Sequence, residues 1–444
     1  MSNVIDTSAA EKSPASAPAP ESRRLMSLDV LRGFDMFWIL GADALVQALN
    51  RMSQSAPTKL LSTQLEHIEW AGFHFYDLIF PLFVFIMGVS TVFSLTKIIE
   101  REGRVAAMKR IVLRSILLFV CGLIYNGGFT NPWPDVRLSG VLNSIALCYL
   151  GGGLLFCWFK PRALIGIAAA LLIGYWAILN FIPMRDIHLE KEHLAALAEK
   201  NGDVALAARF RAANAGAANP SAIKDSPVWA ATQRMYAETT NRVTGKFEMG
   251  YNVANHFDFE HLPGRQRDLF WEPEGLLGAL PAVVTCLLGI FAGLFVRNKS
   301  VPDIKKVCWL IGAGAVGVAL GFLWGLQFPV IKKIWSSSFV LVAGGYSAML
   351  LGVFYWIVDV KKWQAWSQPF LWIGMNPITL YLASNFIGGG FQKIASRLAG
   401  GSVTRFLNAH VTAGFGDLVV CLVGVLLFVW FARFLYQRKI FLRL

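Results

Sequence analysis

The chain has 444 residues, 55% of them hydrophobic and only 16% charged, with 41 Lys and Arg against 28 Asp and Glu for a formal net charge of +13. A soluble domain carries roughly 25% charged residues, and 33 Phe, 15 Trp and a mean hydropathy of +0.51 exclude a soluble enzyme, a disordered chain and a secreted disulfide scaffold. The composition is that of an all-α polytopic membrane protein in contact with lipid.

The basic residues gather at the ends of apolar segments, as membrane-topology determinants do. They form no stripe with stacking aromatics, so nucleic acid is not a partner to expect. Cys121, Cys148, Cys157, Cys286, Cys308 and Cys421 all lie in or beside apolar runs without CxxC spacing, which gives neither a disulfide framework nor a zinc site.

Residues 1–22 are rich in Ala, Ser and Pro and are expected to form a disordered tail. Ten apolar segments follow, at about 25–48, 73–96, 111–128, 139–158, 162–182, 275–296, 307–326, 336–358, 368–387 and 413–436. Most approach the roughly 20 residues a helix needs to span the hydrocarbon. They divide into membrane helices 1–5 over 23–182, with a polar loop at 49–72, and helices 6–10 over 271–444. The stretch 387–412 leaves room for a re-entrant or interfacial piece. Lys and Arg weight one set of junctions, including 97–110, 297–306 and 433–443, and this bias puts both termini in the cytoplasm. The polar insert 183–270 then falls outside, as a small extracytoplasmic cap, and the expected location is a cytoplasmic (inner) membrane.

Ionisable residues inside spans are costly and each needs a reason. Asp29, Arg32 and Asp35 are spaced three apart, so that Arg32 could bridge both carboxylates on a helix. This reads either as a structural ion cluster or as an arginine that meets an anionic group such as phosphate. Asp43 lies about 27 Å beyond Leu25 along a straight helix, level with the loop that holds His67 between Glu66 and Glu69. Asp77 follows in the next span. A straight helix would hold His67 and Asp77 about 15 Å apart, so pairing requires a bend near Gly72; His74 is the alternative partner. Pro81 removes the donor for the Asp77 carbonyl and predicts a kink, with residues 77–81 facing a cavity.

Further along, Glu272, Pro273 and Glu274 open the sixth span. They either cap a helix or converge with His67 and Asp43 at one depth. Trp335 and Ser336 to Ser338 open the eighth span on the same side. Gly374 to Pro377 (GMNP) predict an interrupted helix, with Asn376 pointing inward or acting as packing glue. Walker A, GxGxxG after a strand, HExxH and GxSxG are absent from the sequence.

The segments SLDVLRGFDMFWI, HIEWAGFHFYDLIFPLFVFIMG, VRLSGVLNSIALCY, LPGR with EPEGLLGALPAVVTCLLGIFAG, IWSSSFVL, GMNPITLY and RKIF resemble the heparan-α-glucosaminide N-acetyltransferase family, notably its bacterial members. The likeness covers nearly the whole chain from Leu25, apart from much of 185–245. The string HxxWxGxxxxDLxFPxFxFxxG is specific; LDxLRG also occurs in other membrane acyltransferases. The resemblance implies transfer of an acetyl group from cytoplasmic acetyl-CoA to the amine of a glucosamine-type sugar beyond the membrane.

The family's active histidine falls on His67, which would act as general base or form an acetyl-histidine, and its acidic partner falls on Asp77. A family asparagine falls on Asp43, and a second histidine of the human member falls on Ser384. Asp43, Glu274, Trp335, Ser336 and Asn376 are the acceptor-binding candidates. Arg32 and Asn376 are the candidates for holding acetyl-CoA, and no metal is implied. An O-acyltransferase acting on a cell-envelope glycan and a non-enzymatic sugar transporter are the alternative readings, and a homodimer is left open.

Overall fold

A computed structural model describes residues 25–130, 136–213, 224, 226–387 and 390–442. The tail expected over 1–22 lies outside the described residues. Among the described residues, seven helices are long and apolar enough to cross a membrane, and the chain is a mostly helical membrane protein.

The first apolar segment does not form one helix. α1 (Met26–Phe37) ends in a wide turn over Trp38–Ala42 before α2 (Asp43–Ser53) starts, and Gly41 at φ +115° makes the break. A straight 27 Å path to Asp43 is therefore replaced by a bent one. α3 (Ala56–Gln64) completes this corner. In contrast, the segments expected at 73–96 and 111–128 merge into the 51-residue α4 (Phe75–Tyr125). At Pro81 the backbone keeps helical dihedrals, and the helix path breaks at Gly103, where φ is +86°. Pro81 is the seventh residue of α4, past the first turn, so the Asp77 carbonyl is left without its helical donor.

α5 (Val141–Trp158) and α6 (Pro161–Phe181) follow. The insert then folds as a small body of its own. A two-residue ribbon, β1 (Met184–Arg185) antiparallel to β2 (Arg242–Val243), ties its ends together. Four short helices, α7 (Lys191–Lys200), α8 (Val204–Ala212), α9 (Pro227–Glu238) and α10 (Val253–His261), bury Leu194, Phe210, Trp229, Phe259, Phe270 and Trp271 together. Trp70, from the loop before α4, packs on this core at a ring distance of 5.6 Å from Trp271 and donates its Nε1–H to the Phe247 carbonyl at 2.7 Å. The insert thus rests directly on the loop that carries His67.

The second half comprises α11 (Ala279–Arg297), α12 (Asp303–Gly325), α13 (Ser337–Phe354), α14 (Gln368–Met375), α15 (Pro377–Phe386), α16 (Gly390–His410) and α17 (Phe415–Gln437). α11 begins six residues after Pro273, so Glu272 and Glu274 do not cap it. α14 and α15 meet at Asn376, whose φ of −133° interrupts the helix where GMNP predicts. The 387–412 stretch holds α16, packed against α17.

Small residues let the helices approach closely, as membrane packing requires. A Cβ on Gly88 of α4 would lie 2.1 Å from the Cys286 carbonyl oxygen of α11, and one on Gly33 of α1 would lie 1.7 Å from the Phe370 oxygen of α14.

Candidate active site

The loop from Leu65 to His74 turns back on the start of α4, and Gly72 permits it. Its φ of +126° lies where only glycine is at ease, and its N–H donates to the Val330 carbonyl at 2.8 Å. Next to it, Ala71 bridges Ile331 as an antiparallel pair. The bend sends His67 onto Asp77, with Nδ1 to Oδ1 at 2.9 Å. The other Asp77 oxygen accepts the backbone N–H of His74 at 3.1 Å and of Ile68 at 3.3 Å. Asp77 is fully buried and its carboxylate is spoken for on both sides, which fixes the imidazole plane. The His67 ring remains half exposed.

The alternative partner proves to be elsewhere: the His74 ring lies 3.0 Å from the Glu66 carbonyl oxygen. Tyr76 covers one face of His67, with ring centroids 4.6 Å apart, and donates its hydroxyl to Asp43 at 3.3 Å. Asp43 therefore reaches the histidine through Tyr76 rather than by lining the same space.

Lys332 is a third member that the sequence pattern does not single out. Its ammonium lies 3.0 Å from His67 Nδ1 and 3.2 Å from Asp77 Oδ1. It is carried by the same segment that pairs with Ala71 and Gly72, 265 residues from His67. Trp335 and Ser336 build that segment. The Trp335 N–H donates to the Lys332 carbonyl at 2.9 Å, and Ser336 Oγ accepts the N–H groups of Ile331 at 3.0 Å and Phe339 at 3.3 Å. Trp335 is buried against Phe80 and Phe339, and Ser336 is fully buried. Neither lines the cavity, so the expectation that they touch the acceptor is corrected: they hold the loop behind Lys332.

His67, Tyr76 and Asp77 open onto a cavity of about 330 Å³ that Arg267, Asp268, Glu274 and Lys332 also line. Ile79, Phe80 and Phe83 continue its wall down α4, so part of the stretch expected to face a cavity does so. Glu274 is held by Arg137, at 3.1 Å, which also grips the buried Glu272 at 2.5 Å and 3.2 Å. Burial pushes the Glu272 carboxyl up to about 7 against the pull of Arg137. These glutamates organise the cavity rim in place of the helix-capping role that their spacing suggests.

A second cavity of about 310 Å³ lies toward the Gly103 turn of α4, lined from both sides of it by residues such as Ser94 and Arg110. Phe83, Leu142, Ile145, Pro377 and Ile378 line both, so the two share one apolar waist. About 25 Å of helix axis separates Asp77 in the first from Ser94 in the second, close to the thickness of a bilayer core. Arg32, Arg110 and Arg114 line the second cavity, and no carboxylate is among its lining residues. Arg32 pairs with Asp29 at 3.2 Å, donates to the Gly374 carbonyl at 3.2 Å and to Ser90 at 2.8 Å. The bridge from Arg32 to Asp35 is not formed: Asp35 is fully buried, and neither of its oxygens has a hydrogen-bond partner among the described residues.

Asn376 sits beside the waist at the break between α14 and α15, buried, with both amide atoms unpartnered among the described residues. Ser384 lies on α15 and donates to the Tyr381 carbonyl at 2.8 Å. Tyr381 lines the first cavity and stacks on Tyr125 at 4.4 Å. Among the described residues, no cluster of three His, Cys, Asp or Glu is placed to hold a metal.

Residues 24–196 match the family model for the catalytic region of heparan-alpha-glucosaminide N-acetyltransferase. The heparan-alpha-glucosaminide N-acetyltransferase of Mus musculus is 26% identical over 407 residues, which are 85% of this chain and 56% of that protein. The Homo sapiens protein of the same name is 26% identical over 404 residues, 85% of this chain and 55% of its own length. The chain thus spans about half the length of the curated relatives it matches.

Proposed function

For a chain whose residues 24–196 belong to the heparan-alpha-glucosaminide N-acetyltransferase family, we propose a membrane acetyltransferase that takes acetyl from cytoplasmic acetyl-CoA and delivers it to the amine of a glucosamine-type sugar on the opposite side. The observation that carries this reading is the pairing of His67 with Asp77 at 2.9 Å at the mouth of one cavity, which shares its waist with a second, arginine-lined one. The charge bias of the loops supports an orientation with the termini and the arginine-lined cavity facing the cytoplasm and the insert facing outward. In a bacterium this corresponds to the inner membrane.

Acetyl-CoA enters the arginine-lined cavity with its phosphates toward Arg32, Arg110 and Arg114, charge-assisted donors suited to phosphate oxygens. Its thioester arm passes the apolar waist, where the unpartnered amide of Asn376 offers both a donor and an acceptor. The acceptor lies in the outer cavity, with Glu274 and Tyr76 in reach of its hydroxyl or ammonium groups and Asp43 behind Tyr76. With Nδ1–H donated to Asp77, the imidazole keeps its Nε2 lone pair for the amine. The amine nitrogen attacks the thioester carbonyl, its proton goes to His67, and the C–S bond breaks. The departing thiolate takes that proton, which leaves an amide and free CoA thiol.

The test is acetyl-CoA-dependent acetylation of glucosamine by detergent-purified protein. Wild type is expected to form N-acetylglucosamine, and His67→Ala to lose about 10²- to 10⁴-fold in rate, the span of general-base contributions. A His67→Ala protein as active as wild type would overturn the assignment.

A further inference from the structure

The His67–Asp77 pair has a neighbour for which a simple base and its orienting carboxylate give no reason. The Lys332 ammonium approaches the same imidazole nitrogen that faces Asp77, at 3.0 Å, and the same carboxylate oxygen, at 3.2 Å. The three groups form a triangle at the cavity edge, and the lysine side chain is only 19% exposed. This position is built rather than incidental. The Ala71–Ile331 bridge, the Gly72 to Val330 hydrogen bond and the Ser336 cap fix the segment that carries it. Trp335 is held at a φ of +51°, a conformation that a bulky residue rarely adopts.

Nδ1 can serve only one of its two neighbours. If it accepts from the ammonium, the proton sits on Nε2 and the base is lost. If Nδ1–H donates to Asp77, the ammonium donates to the same carboxylate oxygen and Nε2 is free. Asp77 favours the second arrangement, but a carboxylate alone also stabilises the protonated imidazolium. A cation at 3.0 Å from Nδ1 opposes exactly that charge.

We propose that Lys332 is a positioning residue that, by its charge, keeps His67 neutral against the pull of Asp77 and so sets the pH above which the histidine can act as a base. The proposal rests on the reading of His67 as the general base. An imidazolium destabilised in this way also returns its proton readily to the departing thiolate. Burial lowers the lysine's own proton affinity, and Asp77 works the other way. The remaining groups that face the triangle are Tyr76 with Asp43 behind it, Glu274, Asp268 and Arg267 from the segment before α11, and the adjacent Lys333. They carry both signs, so no other single charge replaces Lys332.

The test reads His67 directly, without acetyl transfer. Diethyl pyrocarbonate acylates imidazole in its neutral form and not as imidazolium, so its rate at His67, mapped to that residue by mass spectrometry across pH 5–9 on the purified full chain, gives the histidine's midpoint. Lys332→Met and Lys332→Gln are expected to raise that midpoint by about one pH unit or more, since loss of a contacting cation leaves Asp77 unopposed. Lys332→Arg is expected to leave it within a few tenths of wild type. The acid limb of kcat/KM should move with it. A midpoint unchanged in both neutral variants, or shifted equally in the arginine variant, would overturn the proposal. If no variant, wild type included, acetylates an amine, the acetyltransferase reading fails while the midpoints still decide the role of Lys332.

Discussion

Beside the insert, carboxylates and cations touch, with His67 and Lys332 on Asp77 and Arg137 on Glu272 and Glu274, whereas the cavity toward the Gly103 turn of α4 is lined by Arg32, Arg110 and Arg114 and by no carboxylate. The first arrangement suits proton transfer, because opposed charges at contact distance tune one another and leave little net field for a ligand to pay against. The second suits a polyanion, because three guanidinium groups gather there and, among the described residues, only Arg32 of the three has a carboxylate partner, Asp29. The two also differ in how they are built. Beside the insert, Asp77 opens α4 while His67 and Lys332 ride on loops pinned by a bridge and by the insert; the arginines stand on the helices α1 and α4. In the proposed reading, chemistry that requires a set tautomer is placed on a cross-braced loop and ligand capture on helix faces.

Substitutions can break this contrast. The largest effect is expected at Asp77: Asp77→Asn keeps the shape but cannot hold the imidazole as a carboxylate does. Steady-state kinetics should show kcat reduced by about 10²- to 10³-fold with the KM for acetyl-CoA within twofold. An equal loss in binding would mean that the outer site also holds the donor. A smaller effect is expected from the double variant Arg110→Met and Arg114→Met. Here the KM for acetyl-CoA should rise about tenfold, with kcat nearly constant, and the difference from wild type should shrink as salt rises. A change in kcat alone would contradict the division of labour between the cavities.

Much of the candidate site is legible in the sequence because it is local. His67, Gly72 and Asp77 lie within one loop and the first turn after it, so the need for a bend at Gly72 can be read from spacing alone. The break at Asn376 is equally local, with glycine and proline on either side. Lys332 is not legible, since only the pairing of residues 71–72 with 330–331 brings it to His67. Trp335 and Ser336 mislead for the converse reason: they are close in sequence to a site residue but face its back. The pairing of Arg137 with Glu272 and Glu274 is hidden in the same way, because the two glutamates look like helix caps until α11 is seen to begin at Ala279. Arg114 could have been found, as an ionisable residue inside the apolar segment 111–128 and one turn after Arg110. The bent path of the first span turns on Gly41, and apolar periodicity does not register a single glycine at φ +115°.

The central claim is that the acetyl group crosses the membrane through one protein, and proteoliposomes test it most directly. Glucosamine would be sealed inside, membrane-impermeant acetyl-CoA supplied outside, and the N-acetylglucosamine in the lumen measured over time. The expected result is luminal product with the CoA thiol released outside, absent in His67→Ala vesicles. Product that forms only when both substrates are on the same side would contradict the account.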